Sequence, residues 1–189
     1  MTFDLDIEES LYALHAGGLI LYPTDTVWGI GCDATNADAV SKIFDLKKRR
    51  DGKSMIVLLA DEKEITKYVT QPDPKIYDYI KGISKPTTFI YEGGINLAEN
   101  MIQDDGTVAI RITTDPFCRT LLKKFGKPIV STSANISGYP APAIFSDIDI
   151  EIKSGVDYIV QHRQEEQAEA TPSAIVKWNA DGSLTIIRP

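Results

Sequence analysis

The sequence has few of the residues that most often bind metals or act as nucleophiles. Its 189 residues include two cysteines, Cys32 and Cys118, and two histidines, His15 and His162, which lie far apart along the chain. Structural zinc sites need ligands at short spacing, and disulfide-stabilised folds need several cysteine pairs. The sequence therefore excludes a structural zinc site and a disulfide framework, and we predict no metal ligands.

Long apolar segments are also missing. The longest unbroken apolar run, residues 55–60, is far shorter than the roughly 20 residues that span a bilayer. Residues 1–10 have neither the basic region nor the apolar core of a secretory signal. We therefore expect a cytoplasmic protein with reduced cysteines and no membrane attachment.

Acidic residues outnumber basic ones, and one short segment departs from this balance. The chain has 20 Lys and Arg against 27 Asp and Glu, which gives a formal net charge of −7. Five cations fall within one short segment: Lys47, Lys48, Arg49, Arg50 and Lys53. They indicate either the solvated end of a helix or a binding site for a polyphosphate.

The apolar pattern predicts alternating strands and helices in a single domain, residues 1–189. A helix is predicted to begin with a capping box at residues 35–38 and to stop at residues 51–52. A second helix begins at Asp115 and ends at Gly126. The remaining pattern gives strands at residues 19–22, 55–59, 87–91, 107–112 and 128–132, and a hairpin of residues 173–178 and 184–188. These elements predict an α/β fold with both parallel and antiparallel strands.

Polar segments follow two of the predicted strands, where α/β sheets place ligand sites. Residues 23–31 combine two threonines, Asp25 and glycines, and form either a ligand site or a glycine-rich turn. Residues 130–138 offer hydroxyls, an amide and turn N–H groups that suit an oxyanion. Arg111 lies in an apolar strand, so it either pairs with an internal acid or binds a carboxylate or phosphate ligand.

Together these segments resemble the YrdC/TsaC family of threonylcarbamoyl-AMP synthases. The family pattern PT[DE]TVYGLG corresponds to residues 23–31, with Trp28 in place of Tyr. The remaining motifs are KxR at residues 47–49, AVR at 109–111, SxN at 133–135, and the closing S[TA]IV and RP at 173–176 and 188–189. The resemblance implies a YrdC-like twisted mixed sheet with flanking helices and a concave basic face, in a short single-domain member. It also favours a helix at residues 147–152, where strict alternation indicates a strand.

The resemblance implies a nucleotidyltransferase that condenses L-threonine, bicarbonate or CO2, and ATP. Its products would be threonylcarbamoyl-AMP and pyrophosphate, in the first step toward N6-threonylcarbamoyladenosine in tRNA. The implied ATP-binding residues are Lys47, Arg49, Lys53, Thr107, Ser133, Asn135 and Arg188, and the implied threonine-binding residues are Thr26, Arg111, Thr132 and Ser173. Lys47 and Arg49 are expected to be catalytic and exposed at a helix end. Mg2+ would be carried by the ATP phosphates, and proteins acting later in tRNA modification would be partners.

Two segments depart from the family pattern and leave alternatives open. Residues 82–88 replace a Trp-Pro-Gly-Pro segment, and the mostly acidic residues 161–170 replace a glycine-rich turn. One alternative is a module for double-stranded RNA or tRNA, with weak binding through the basic face. The other is a paralogue similar to YciO that lacks the synthase activity.

Overall fold

The computed structural model describes residues 3–49, 55–179 and 182–189, and in them the chain forms a mixed sheet. The order of its strands is β7-β1-β2-β6-β3-β5-β4-β8-β9. The strands are β1 Ile20–Tyr22, β2 Gly29–Gly31, β3 Ile56–Leu59, β4 Thr87–Tyr91, β5 Val108–Ile112, β6 Ile129–Ser133, β7 Tyr158–Ile159, β8 Ala174–Trp178 and β9 Leu184–Arg188. Pairs β1/β7, β3/β5 and β4/β8 are parallel and the other pairs antiparallel, which confirms the predicted mixed α/β sheet.

Helices flank this sheet and supply much of the buried apolar surface. They are α1 Asp4–His15, α2 Ala37–Leu46, α3 Ile65–Tyr68, α4 Lys75–Gly82, α5 Pro116–Phe125 and α6 Ile150–Ser154. Short 3-10 turns occur at Glu62–Glu64, Glu99–Met101 and Phe145–Asp147. Buried side chains from these helices and from the strands form one continuous apolar cluster. In the described residues, no helix is long and apolar enough to cross a bilayer.

The start and end of α2 differ from the prediction. Asn36, not Thr35, caps the helix, because its side chain accepts the N–H groups of Asp38 and Ala39 at 3.1 Å. The Thr35 hydroxyl instead donates to Asp33 at 2.6 Å. The helix ends at Leu46, before the predicted stop at residues 51–52, which lies outside the described residues. Residues 47–49 therefore belong to the loop that follows the helix.

Several other predictions are confirmed with small shifts at their ends. Asp115 caps α5 by accepting the Cys118 N–H at 2.9 Å, and Gly126 ends it in the left-handed conformation at φ 72°. Strands β8 and β9 pair as the predicted hairpin. A helix occupies Ile150–Ser154, as the family resemblance implied and against the alternating pattern. Helix α1 and strands β2 and β7 were not predicted from the sequence.

Candidate functional site

A cleft of about 630 Å3 lies on one face of the sheet, and it collects most of the predicted site residues. The sheet register explains how residues distant in sequence meet there. Arg111 pairs with Thr88 across β5 and β4, Thr88 pairs with Ile175 of β8, and Ile175 pairs with Arg188 of β9. Cross-strand neighbours share a face of the sheet. The predicted site residues in the cleft lining are Thr26, Arg49, Arg111, Thr132, Ser133, Asn135, Ser173 and Arg188.

In the described residues, the charged side chains of this lining are all positive. Three arginines contribute to it, and no carboxylate does so in the described part of the chain. Burial lowers the pKa of Arg188, and the positive charge of Arg111 lowers it further. Asp25 balances Arg111 from behind the lining, and an anion in the cleft would balance the remaining positive charge. The cleft therefore suits an anionic ligand, in agreement with the predicted basic face.

Lys47 departs most from its predicted setting. We expected an exposed side chain, but only 2% of the residue is exposed. Its ammonium donates to the carbonyls of Ser133 and Asn135, the latter at 2.6 Å. Its own carbonyl accepts the N–H of Ser137 at 2.9 Å. Lys47 is thus enclosed by the loop after β6, because that loop supplies the acceptors its amine needs once it is buried.

This enclosure changes the ionisation of Lys47 and separates it from its two neighbours. Burial lowers the pKa of Lys47 to about 7, and the nearby Arg49 adds to the effect. Lys48 takes a left-handed conformation at φ 51° and forms an exposed ion pair with Glu151 at 2.7 Å. Arg49 lines the cleft. The three successive residues therefore point to three different environments.

Arg111 reaches an internal acid, which was one of the two alternatives left open. Its Nη2 lies 3.3 Å from Asp25 Oδ1, and its Nη1 donates to the Thr26 hydroxyl at 3.0 Å. Only 2% of Arg111 is exposed, yet it also borders the cleft. The carboxylate of Asp25 offsets the cost of burying this charge. Ligand binding by Arg111 stays a prediction.

Two backbone carbonyls of the loop Ser133–Asn135 accept hydrogen bonds from Lys47, and the side chain of Asn135 has other partners. The Asn135 amide donates to the carbonyls of Ile136 at 3.0 Å and Tyr139 at 2.7 Å. Asn135 Oδ1 accepts no hydrogen bond within the described residues. Ser173 is buried at the far side of the cleft, where its hydroxyl lies 2.9 Å from that of Thr88.

Of the predicted ATP-binding residues that the structure describes, Lys47 and Thr107 are not part of this lining. Thr107 directly precedes β5. Its hydroxyl donates to Asp105 at 2.7 Å and is therefore directed to the turn before the strand. Lys53 lies outside the described residues. Conversely, Tyr139 lines the cleft although it was not predicted, and so does Ser131, which was selected only as part of the segment 130–138. Ser131 faces it because β6 pairs Ser131 with Ile56, a register that no local pattern reveals.

In the described residues, carboxylates and imidazoles are not gathered for a resident metal. Within residues 3–49, 55–179 and 182–189, no group of three His, Cys, Asp or Glu side chains is placed to hold a metal ion. Both cysteines are buried, and burial raises the pKa of each thiol. The described cleft lining offers guanidinium, hydroxyl, amide and apolar groups instead.

Fold and site together define an α/β protein with a concave, cationic cleft suited to binding an anionic small molecule. The chain belongs to the Sua5_yciO_yrdC family, described as "Telomere recombination", whose match covers residues 12–189. This confirms the predicted membership.

Two relatives of similar length carry the same name. A protein of Vibrio parahaemolyticus named threonylcarbamoyl-AMP synthase is 32% identical over 173 residues, covering 90% of this chain and 92% of the relative. A protein of Stenotrophomonas maltophilia with the same name is 30% identical over 172 residues, covering 89% and 92%.

Solved structures share the fold. P. abyssi Sua5 complexed with L-threonine has a TM-score of 0.86 at 21% identity, covering 98% of this chain and 54% of that one. This chain thus spans about half the length of that Sua5. E. coli YciO has a TM-score of 0.84 at 22% identity, covering 99% of this chain and 89% of that one.

Proposed function

We propose that this protein is a threonylcarbamoyl-AMP synthase that converts L-threonine, bicarbonate or CO2, and ATP into threonylcarbamoyl-AMP and pyrophosphate. The observation that carries the proposal is the cleft, in which three arginines and the loop Ser133–Asn135 meet without a carboxylate in the described lining. Relatives that match about nine-tenths of the chain bear this enzyme's name. A cytoplasmic location and action before other tRNA-modification proteins are parts of the same proposal.

The reaction asks for placement more than for a reactive side chain. The threonine amine adds to CO2 and releases a proton to solvent, which gives a carbamate whose oxygen attacks the α-phosphorus of ATP. A new P–O bond forms, the bond to the β-phosphate oxygen breaks, and pyrophosphate leaves with the electron pair. The protein must hold the reactants in line and stabilise negative charge around phosphorus.

We assign the triphosphate to the end of the cleft formed by Arg49, Ser133 and Asn135, with Arg188 at the opposite wall. Lys47 acts there through the loop that its ammonium holds, because its donors are directed to the carbonyls of Ser133 and Asn135. The roles first assigned to Lys53 and Thr107 remain predictions. Mg2+ would be held through the phosphates, since the described lining offers cations and neutral oxygens rather than carboxylates.

We assign the threonine to the end of the cleft formed by Thr26, Arg111, Thr132 and Ser173. The planar guanidinium of Arg111 matches a carboxylate, and Asp25 and Thr26 fix its orientation from behind. Threonine bound there would present its amine toward the triphosphate. Bicarbonate or CO2 would enter between the two reactants.

The proposal is tested by measuring pyrophosphate release from purified protein with Mg-ATP, L-threonine and bicarbonate. We expect release that needs both threonine and bicarbonate, and a product with the mass of threonylcarbamoyl-AMP. Release from ATP alone, or none at all with the folded protein, would contradict the proposal. The second result, together with RNA binding, would favour the binding module or a YciO-like protein without this activity.

A pair of neighbouring variants makes the assay specific to the cleft. Arg49→Ala removes a cation from the lining, and loss of one such preorganised contact lowers the rate by about 10²–10³-fold. Lys48→Ala removes a cation that pairs with Glu151 at the surface, so its rate should stay close to that of the unchanged protein. Equal losses in both variants would show that the segment acts only as diffuse positive charge.

A further inference from the structure

Residues 161–172, here called the strap, connect β7 to β8 and include the acidic stretch in which the sequence departs from its family. The first anchor of the strap is Asp6 of α1, a buried carboxylate. It accepts the backbone N–H groups of Gln161 at 2.8 Å and His162 at 2.9 Å, together with the Tyr158 hydroxyl at 2.7 Å. Three donors on one carboxylate fix the start of the strap against the N-terminal helix.

Arg163 is the second anchor and the one that reaches toward the cleft. Its Nη1 donates both to the Thr24 carbonyl and to the Asp115 carboxylate, each at 3.0 Å. Its Nε donates to Glu166 within the strap at 2.7 Å. The residue itself takes a left-handed conformation at φ 69°. Arg163 thus joins the strap to the segment after β1 and to the start of α5.

A chain of short contacts leads from Arg163 to the predicted threonine site. The Thr24 hydroxyl accepts the Thr26 N–H at 3.0 Å and donates to the Val27 carbonyl at 2.8 Å. The hydroxyls of Thr24 and Thr26 lie 3.0 Å apart, and the latter accepts from Arg111. A displacement of Thr24 would therefore move two residues that line the cleft.

The far end of the strap reaches the cleft directly, whereas its middle is held by little. Pro172 lines the cleft next to Ser173. Glu165, Gln167 and Glu169 are exposed, and no side-chain hydrogen bond or ion pair to the described residues holds them. The position of the strap therefore depends on its anchors.

We propose that Arg163 is a positioning residue for the threonine end of the cleft, which it fixes through Thr24. The inference rests on the proposed function, because threonine is the ligand that Thr26 and Arg111 are assigned to hold. Without Arg163, the Thr24 carbonyl and the Asp115 carboxylate lose a charged donor. The hydroxyl of Thr26 and the guanidinium of Arg111 then lose their fixed arrangement, while the triphosphate end keeps its own contacts.

Two readouts test this on Arg163→Ala, Arg163→Lys and the unchanged protein. The first is the KM for threonine and for ATP in the pyrophosphate assay. We expect Arg163→Ala to raise the KM for threonine about tenfold or more, as loss of hydrogen bonds to a charged group implies, with the KM for ATP within about twofold. The second is amide hydrogen exchange of residues 24–28, which should become faster by a similar factor. Arg163→Lys keeps the positive charge beside Asp115, so both of its readouts should lie between those of Arg163→Ala and the unchanged protein.

Glu166→Gln is the matched control. It removes the negative charge from the contact of Arg163 inside the strap and keeps the contacts with Thr24 and Asp115, so both readouts should stay near those of the unchanged protein. Unchanged exchange of residues 24–28 in Arg163→Ala would overturn the proposal, and so would faster exchange without a higher KM for threonine. If the unchanged protein makes no pyrophosphate, the proposed function fails. The exchange data and calorimetric threonine binding then decide the role of Arg163 separately.

Discussion

Lys47 joins two parts of the molecule that are far apart in sequence, the end of α2 and the loop after β6. A neutral lysine amine keeps two N–H donors, which is the number of carbonyls that it faces. Burial beside Arg49 lowers its pKa to about 7, so both ionisation states are populated near neutral pH. A substitution here cannot be treated as the change of an exposed side chain, which the sequence alone had suggested.

The ionisation of Lys47 gives a prediction for stability against pH. A lysine in an unfolded chain has a pKa of about 10.4. Between about pH 7 and about pH 10 the unfolded chain therefore binds more protons at this residue than the folded protein does. Stability therefore rises with pH in this window. We expect the free energy of unfolding of the unchanged protein, measured in urea relative to Lys47→Met, to rise across it and to be flat below it. Lys48→Met is the control, and parallel curves for the unchanged protein and Lys47→Met would contradict the argument.

At the scale of secondary-structure elements, the sequence predicts elements that have local end signals but not those that depend on long-range pairing. Helix α5 is predictable from its ends, because Asp115 and Gly126 act within one turn of the helix. Strand β2 cannot be predicted in this way, because glycine is disfavoured in strands and β2 forms through its pairing with β1 and β6. The same limit applies to the site. The contact of Arg111 with Thr26 joins residues 85 apart, so the motifs indicate the residues but not their partners.

Replacing glycine by alanine is expected to have opposite effects on stability at two helix ends. An added Cβ would meet nothing within 4 Å at Gly126 or at Gly82, so packing plays no part at either position. Gly126 has φ 72°, where alanine is strained by roughly 1 kcal/mol, so Gly126→Ala should destabilise the protein. Gly82 lies within α4, where alanine is favoured by up to about 1 kcal/mol, so Gly82→Ala should be neutral or stabilising. Thermal unfolding of both variants checks this, and a loss at Gly82 equal to that at Gly126 would contradict it.

The whole chain has a formal net charge of −7, whereas the charged side chains that line the cleft in the described residues are arginines. The general field repels polyanions, whereas the cleft attracts an anion small enough to enter it. This contrast favours a nucleotide over an extended nucleic acid as the main ligand. Each cation that neutralises a phosphate releases a counterion, so the dependence of nucleic-acid binding on salt reports how many phosphate contacts are made.

We therefore expect tRNA to bind weakly and to release steeply as salt increases. If Arg49 and Arg188 provide about two phosphate contacts, log K should fall against log salt with a slope of about −1.4 to −1.8, since each contact contributes about 0.7 to 0.9. Arg188→Ala should make the slope shallower by about one contact, and Mg-ATP should displace the RNA because both would occupy the same cations. Fluorescence anisotropy of labelled tRNA across a KCl series measures all three effects. Tight binding that survives high salt, or that Mg-ATP leaves unchanged, would mean that RNA is held by a surface other than the cleft.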